Sequence, residues 1–197
     1  MELLKLTQYI KNKKNTGRRG MESNLVVTIT GPDQIGLVER VTKIVVQCQG
    51  NIAASRMAHL GGEFAMLMYI IISAENKDTL NEKLNVLTAE GYKLTSASTS
   101  QDDPAKYAGW MPYKVEVNGA DHEGIIHHIT RYFADNGFNI ENMDTNMIKA
   151  PVTGIPLFQM SAVILLPSDK IYQNWQTELK AVGEDQNVDI SIKPHKG

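Results

Sequence analysis

The chain has little cysteine: Cys48 is the only one in 197 residues. That excludes an intramolecular disulfide framework and a cysteine-based zinc site. It has no excess of one charge: 20 basic against 22 acidic residues give a net charge of −2. A strongly basic nucleic-acid binder is therefore not the default reading. It has no long apolar run; the longest, Phe64 to Ile72, is strand-sized and far short of a membrane helix. Neither Gly-x-Gly-x-x-Gly nor Gly-x-x-x-x-Gly-Lys-Ser/Thr occurs, so no nucleotide fingerprint is present. What is there suits a packed protein. Hydrophobic residues make up 42% of the chain, enough for one mid-sized core or two small ones.

The near-neutral total hides an asymmetry. Residues 1–20 carry six basic side chains and one acidic, a net +5, while the rest nets −7. Lys11, Lys13, Lys14, Arg18 and Arg19 follow a short, interrupted apolar start that does not suit a secretory signal. Residues 1–22 read as a basic, flexible leader outside the fold. An amphipathic helix at a subunit surface and an organelle transit segment, for instance to a plastid, remain open. A cytoplasmic location is the expectation.

The remainder is a tandem repeat. Gly31-Pro-Asp33-Gln-Ile-Gly36-Leu-Val-Glu-Arg-Val-Thr42 matches Gly119-Ala-Asp121-His-Glu-Gly124-Ile-Ile-His-His-Ile-Thr130 at an offset of 88. The same offset takes Asn51-Ile52 to Asn139-Ile140. Phe64-Ala-Met66 matches Phe158-Gln-Met160 after an insertion, Ala150 to Ile155, that is a loop by composition.

Each copy reads as strand, helix, strand, strand, helix, strand. Leu25 to Thr30 alternates as a strand. Val38, Val41, Val45 and Cys48 then fall at helical spacing, with Leu37 and Ile44 beside them. Gln49-Gly50 closes that helix, glycine suiting a left-handed cap. Ile52 to Leu60, a Gly61-Gly62 hairpin and Phe64 to Ile72 follow. Leu80, Leu84 and Leu87 mark a second helix ending near Gly91, before an edge-like strand, Leu94 to Ser98. In copy two the first strand is Tyr113 to Val117, and the helix stripe is Ile126, Ile129 and Phe133, ended by Asn136-Gly137. Ile140 to Ile148 and Leu157 to Leu166 are the hairpin. Pro167-Ser168-Asp169 opens a helix burying Ile171, Trp175, Leu179 and Val182, and Val188, Ile190 and Ile192 form the last strand. The fold class is α+β: two tandem ferredoxin-like βαββαβ domains, antiparallel sheets with helices on one face. The boundaries fall at 23–99 and 113–197, with a linker at 100–112.

The strongest chemical feature is the turn between first strand and first helix. Asp33, Gln34, Ile35, Gly36 and Leu37 form it in copy one; Asp121, His122, Glu123, Gly124 and Ile125 form it in copy two. A helix start presents unpaired N–H groups that suit a carboxylate. Glycine lets backbone approach a ligand, and aspartate suits an ammonium group. Asn51 and Ile52, with Asn139 and Ile140, open the next strand, and an amide offers both donor and acceptor. Together they suit a zwitterion. The same residues also suit structural roles, the aspartates as helix caps and the glycines for close packing.

Asp-x-x-Gly-hydrophobic, a helix, then Asn-Ile opening a strand resembles the ACT domain, a small regulatory module. The stretch Asn51 to Phe64 resembles the first repeat of regulators built from two such domains, and the resemblance spans about Asn24 to Lys193. It implies a non-catalytic regulatory protein that senses a small, glycine-like amino acid. It also implies a partner regulatory protein or transcription activator, a homo-oligomer, no direct nucleic-acid contact and no membrane. No cofactor is implied. The turn departs from the Asp-Arg-Pro-Gly frequent in the family.

Other constellations are weaker. His122, His127 and His128 are close in sequence, but adjacent helical residues point apart, so a metal site is not expected. Cys48 reads as a buried thiol. Arg56 and Glu63 flank the hairpin and suggest an ion pair across it. Two further functions compete. One is the regulatory half of an enzyme such as formyltetrahydrofolate hydrolase, for which nothing supplies a catalytic half. The other is base stacking on the sheet, for which the third strands offer only Phe64, Tyr69 and Phe158.

Overall fold

The computed structural model describes residues 22–99, 106–150, 154–170 and 174–195. The chain divides into two compact units. In the first, β1 (Glu22–Pro32), α1 (Leu37–Gln47), β2 (Asn51–Leu60), β3 (Glu63–Ser73), α2 (Lys77–Asn85) and β4 (Lys93–Ser98) follow in order. In the second, β5 (Met111–Ala120), α3 (Ile125–Asp135), β6 (Asn139–Lys149), β7 (Pro156–Leu166), α4 (Trp175–Asp185) and β8 (Val188–Pro194) repeat it. The sheets are antiparallel, with strand orders β2-β3-β1-β4 and β6-β7-β5-β8. Both units are ferredoxin-like βαββαβ sandwiches.

The repeat holds at the level of register. Gly31 pairs with Phe64 and Ile29 with Met66; Gly119 pairs with Phe158 and Val117 with Met160. Register shifts fall at Ile52/Ala54 and at Ile140/Asn142, the same repeat position. Gly61 and Gly62 both take positive φ, 60° and 88°, as a two-residue hairpin demands.

Alternation along the strands sends one face inward. Leu25, Val27, Ile29, Met66, Met68 and Ile70 meet Leu37, Val41, Val45, Leu80 and Leu84 of the two helices. The second core joins Val115, Val117, Met160, Ala162 and Ile164 to Ile125, Ile129, Phe133, Trp175 and Leu179. Each large apolar side chain so buried contributes roughly 1.5–3 kcal/mol. The outer sheet faces differ. Val26, Ala54, Leu67 and Tyr69 line a shallow hollow on the first, whereas Glu116, Asn118, Asp144 and Gln159 line one on the second.

Four local expectations change. The α1 stripe runs Leu37, Val41, Val45, and Val38 is 38% exposed; the α3 stripe starts at Ile125, and Ile126 is 39% exposed. Each helix begins directly after its Gly36 or Gly124 turn. Its first residue therefore lies on the sheet, and the second is rotated about 100° away. The left-handed residue after α1 is Gln49 (φ 57°), not Gly50; its repeat partner Gly137 takes the same conformation (φ 70°). Pro167-Ser168-Asp169 leads into a single 3₁₀ turn, Ser168–Lys170, and α4 starts only at Trp175. Gly183 joins Trp175 and Leu179 on its buried face, with Val182 half-buried, while Ile171 lies outside the described residues. Finally, Arg56 pairs in register with Leu67 and Glu63 with Leu60; the Arg56 guanidinium donates to the Ser55 carbonyl, so the expected ion pair does not form.

Candidate functional site

The β1–α1 and β5–α3 turns have one geometry. Gly36 (φ 91°) and Gly124 (φ 95°) are the N-cap residues, both left-handed, a conformation costly for any residue with a Cβ. The helix ladders start from these glycines, with Arg40 N donating to Gly36 O and His128 N to Gly124 O, each at 3.0 Å. Leu37 N donates to Gln34 O. Among the described residues, the amides of Val38 and Glu39, and of Ile126 and His127, have no acceptor. Asp33 and Asp121 are exposed, and their carboxylates accept no hydrogen bond among the described residues. Capping, the structural role weighed above for them, is not what they do here. Each turn thus holds an exposed, unbonded carboxylate and, at the start of the helix that follows, two unbonded amides of opposite partial charge.

The second domain adds a hollow. Asp121, His122, Gly124, Ile126, His127 and Phe158 line a cleft of about 400 Å³. Phe158 was noted in the sequence as a repeat match and as a third-strand aromatic, not as part of this turn. In the first domain, Gly31, Pro32, Leu60 and Phe64 border a cleft of about 440 Å³ that the Asp33 turn does not line.

The position of both turns depends on an absent side chain. A Cβ on Gly31 would lie 2.6 Å from Tyr92 Cδ1, and one on Gly119 would lie 2.6 Å from Val188 Cγ1. Tyr92 Oη also donates to Pro32 O at 3.0 Å, next to Asp33. Asp121 N donates to Pro156 O at 3.1 Å.

Asn51 and Asn139 are not at these turns. Asn51 pairs with Ile71, opposite Asn24; Asn139 pairs with Leu165, opposite Pro112. At about 3.3 Å per residue, that is roughly 30 Å along the sheet from the aspartate turn of the same domain. Ile52 and Ile140 stand beside them. Asn139 Oδ1 accepts from Tyr107 Oη at 3.1 Å, and the Tyr107 ring meets Trp110 edge-on at 5.0 Å.

His122 uses both ring nitrogens, Nδ1 at 3.0 Å from Glu123 O and Nε2 at 2.7 Å from Gln186 O. These two carbonyls, chiefly that of Gln186, hold its pKa above the ordinary 6.5, with the Asp121 charge adding to the effect. The His127 and His128 rings stand edge to face at 5.5 Å. Among the described residues, no three His, Cys, Asp or Glu side chains are grouped to hold a metal ion. Cys48 is buried.

Two βαββαβ sandwiches in one chain, each with an exposed Asp-x-x-Gly turn at the start of its first helix, define a tandem ACT-domain protein. The ACT domain family model matches residues 23–92. The glycine cleavage system transcriptional repressor of Escherichia coli (strain K12) is 32% identical over 170 residues, 85% of this chain and 88% of that protein. The chain belongs to the tandem ACT-domain family that includes this repressor. An unknown protein from Galdieria sulphuraria shares the fold at a TM-score of 0.78 and 28% identity, over 89% of this chain and all of that one. A crystal structure assigned as a glycine cleavage system transcriptional repressor superposes at a TM-score of 0.67 over 90% of this chain and 99% of its own, with 24% identity. Among the described residues no helix is long and apolar enough to cross a membrane.

Proposed function

We propose that this protein is a non-catalytic regulator that senses a small, glycine-like amino acid and controls a protein partner, as in repression of glycine cleavage genes. The observation that carries the reading is the doubled turn. At Asp33 and at Asp121 an unbonded carboxylate is followed, a few residues on, by unpaired helix amides, so each turn matches the two ends of a zwitterion. The amides take the carboxylate, and the aspartate takes the ammonium. Charge-assisted hydrogen bonds of this kind contribute about 1.5–3 kcal/mol each, more than the helix dipole alone. The family relationship supports the regulatory role. The −7 charge of the chain after its leader supports control through a protein rather than through DNA.

Asn51 and Asn139 enter this reading through a second copy. A two-fold partner laid antiparallel along the exposed β2 edge sets the Asp33 end of one copy beside the Asn51 end of the other. A homo-oligomer would thereby complete a site that one domain holds in two halves. In this reading residues 23–99 and 113–197 are the two sensing domains, 100–112 links them, and 1–22 is a basic leader on a cytoplasmic protein.

Calorimetric titration of the folded chain with a panel of amino acids, glycine and serine first, tests the sensing role. Saturable heat with at least one member is expected. Well-folded protein that binds none of the panel would overturn it.

A further inference from the structure

The two domains hold their Asp-x-x-Gly turns to the rest of the fold by different means. In the first, Arg40 on α1 forms a bidentate pair with Glu90, its Nη1 and Nη2 lying 2.8–2.9 Å from the two carboxylate oxygens. Glu90 immediately precedes Gly91, whose φ is 93°. In the second, Gln186 precedes Asn187, whose φ is 51°, at the equivalent corner. Tyr92 and Val188, the residues that follow, crowd Gly31 and Gly119 in the same way. The repeat partner of Arg40 is His128, which lacks a guanidinium's reach, and Gln186 has no charge to pair. The corner is instead tied by His122 Nε2, 2.7 Å from Gln186 O. His122 stands where the first domain has Gln34.

Both acceptors of the His122 ring are carbonyl oxygens, those of Glu123 and Gln186. A carbonyl can only accept. Neutral imidazole has one N–H, so it satisfies one of them and turns a lone pair toward the other; imidazolium satisfies both. We propose that His122 is a proton-operated latch of the second domain: charged, it ties the Asp121–Gly124 turn to the α4–β8 corner, and neutral, it lets that tie go. The Asp121 charge favours the charged form. Glu123 follows the ring in its own turn, Glu184 and Asp185 end α4 just before Gln186, and Asp189 is the second residue of β8. His127 and His128 sit on α3, their rings edge to face with each other. The raised pKa of His122 agrees with this geometry. The first domain, held by an arginine–carboxylate pair, lacks such a switch near neutral pH. Any effect of the latch on ligand affinity rests on the amino-acid-sensing reading above; the latch itself does not.

Histidine-ring and backbone NMR on the full, ligand-free chain from pH 5 to 9 tests it, with H122Q assigning the ring. The expected result is a His122 midpoint above 6.5, with the amides of Gly124 and Asn187 shifting at that same midpoint and those of Gly36 and Gly91 not. In H122Q the Gly124 and Asn187 shifts are lost. A His122 midpoint at or below 6.5 would overturn the latch, as would Gly124 and Asn187 shifts that persist unchanged in H122Q. If H122Q does not fold, the ring and amide midpoints of the wild-type chain decide between the same outcomes. Ligand titration plays no part in this readout, so loss of the sensing role and loss of the latch are separate results.

Discussion

Gly31 and Tyr92 occupy one space: a methyl group on Gly31 would sit 2.6 Å from the tyrosine ring and 3.1 Å from its Cα. The same tyrosine donates to Pro32 O, so one contact sets both the end of β1 and the approach to Asp33. Gly31→Ala must push the Tyr92 ring and backbone away, and overpacking of this kind costs about 1–3 kcal/mol. Gly119→Ala faces backbone as well, with Asn187 O at 2.9 Å, and has less room to relax. Urea unfolding should show both variants destabilised, Gly119→Ala more than Gly31→Ala. An unchanged midpoint in both would contradict the packing described.

Gly36 and Gly124 present the opposite case. Nothing lies within 4 Å of a Cβ built on Gly36, so the cost of Gly36→Ala comes from backbone alone. At φ near 91° that is about 1–2 kcal/mol. Gly36→Asn, which tolerates the left-handed region better, should recover part of the loss. Thermal melts of the two variants give the comparison.

The Arg40–Glu90 pair is well formed but about 40% exposed on each side. Solvent screening then limits its worth to roughly 1 kcal/mol or less. A double-mutant cycle with Arg40→Ala and Glu90→Ala should give a coupling energy in that range that shrinks between low salt and 1 M salt. A coupling that ignores salt would show that the two side chains act through packing instead.

Two groups make the second domain sensitive to pH in opposite directions. His122 has a raised pKa when folded, so its stabilising effect is complete below the ordinary 6.5 and fades as pH rises through the folded value. Glu116 is held low by a hydrogen bond and charge from Lys114, with Ser191 assisting. Its effect is complete above the ordinary 4.5 and fades as pH falls through the folded value. Denaturation of the second domain across pH should show H122Q flattening the slope on the alkaline side only, and E116Q on the acid side only. His122 is exposed and Glu116 about 35% exposed, so the slopes will be modest.

The fold was legible because the Asp-x-x-Gly turns repeat and because strand and helix periods alternate around them. The errors lie where a one-residue phase matters. Leu37 and Val38 are both apolar, and so are Ile125 and Ile126; only the start of the helix decides which member of each pair faces the sheet. The Asp33 and Asp121 turns were legible as places in the fold. The distance of Asn51 and Asn139 from them was not, because sequence spacing hides direction. The helix after each turn carries the chain back to the end where the first strand began, so each asparagine lands at the far end of the sheet. The contact of His122 with Gln186 had no sequence signal at all: its partner is a backbone oxygen 64 residues away.

The central claim is that amino acids bind at the two aspartate turns. Calorimetry on D33A, D121A and the double variant, with whichever amino acid binds the wild-type chain, tests it most directly. Each single variant should lower the affinity or remove one of two sites, and the double variant should abolish binding while the protein stays folded by circular dichroism. Wild-type affinity and stoichiometry in a folded double variant would contradict the account.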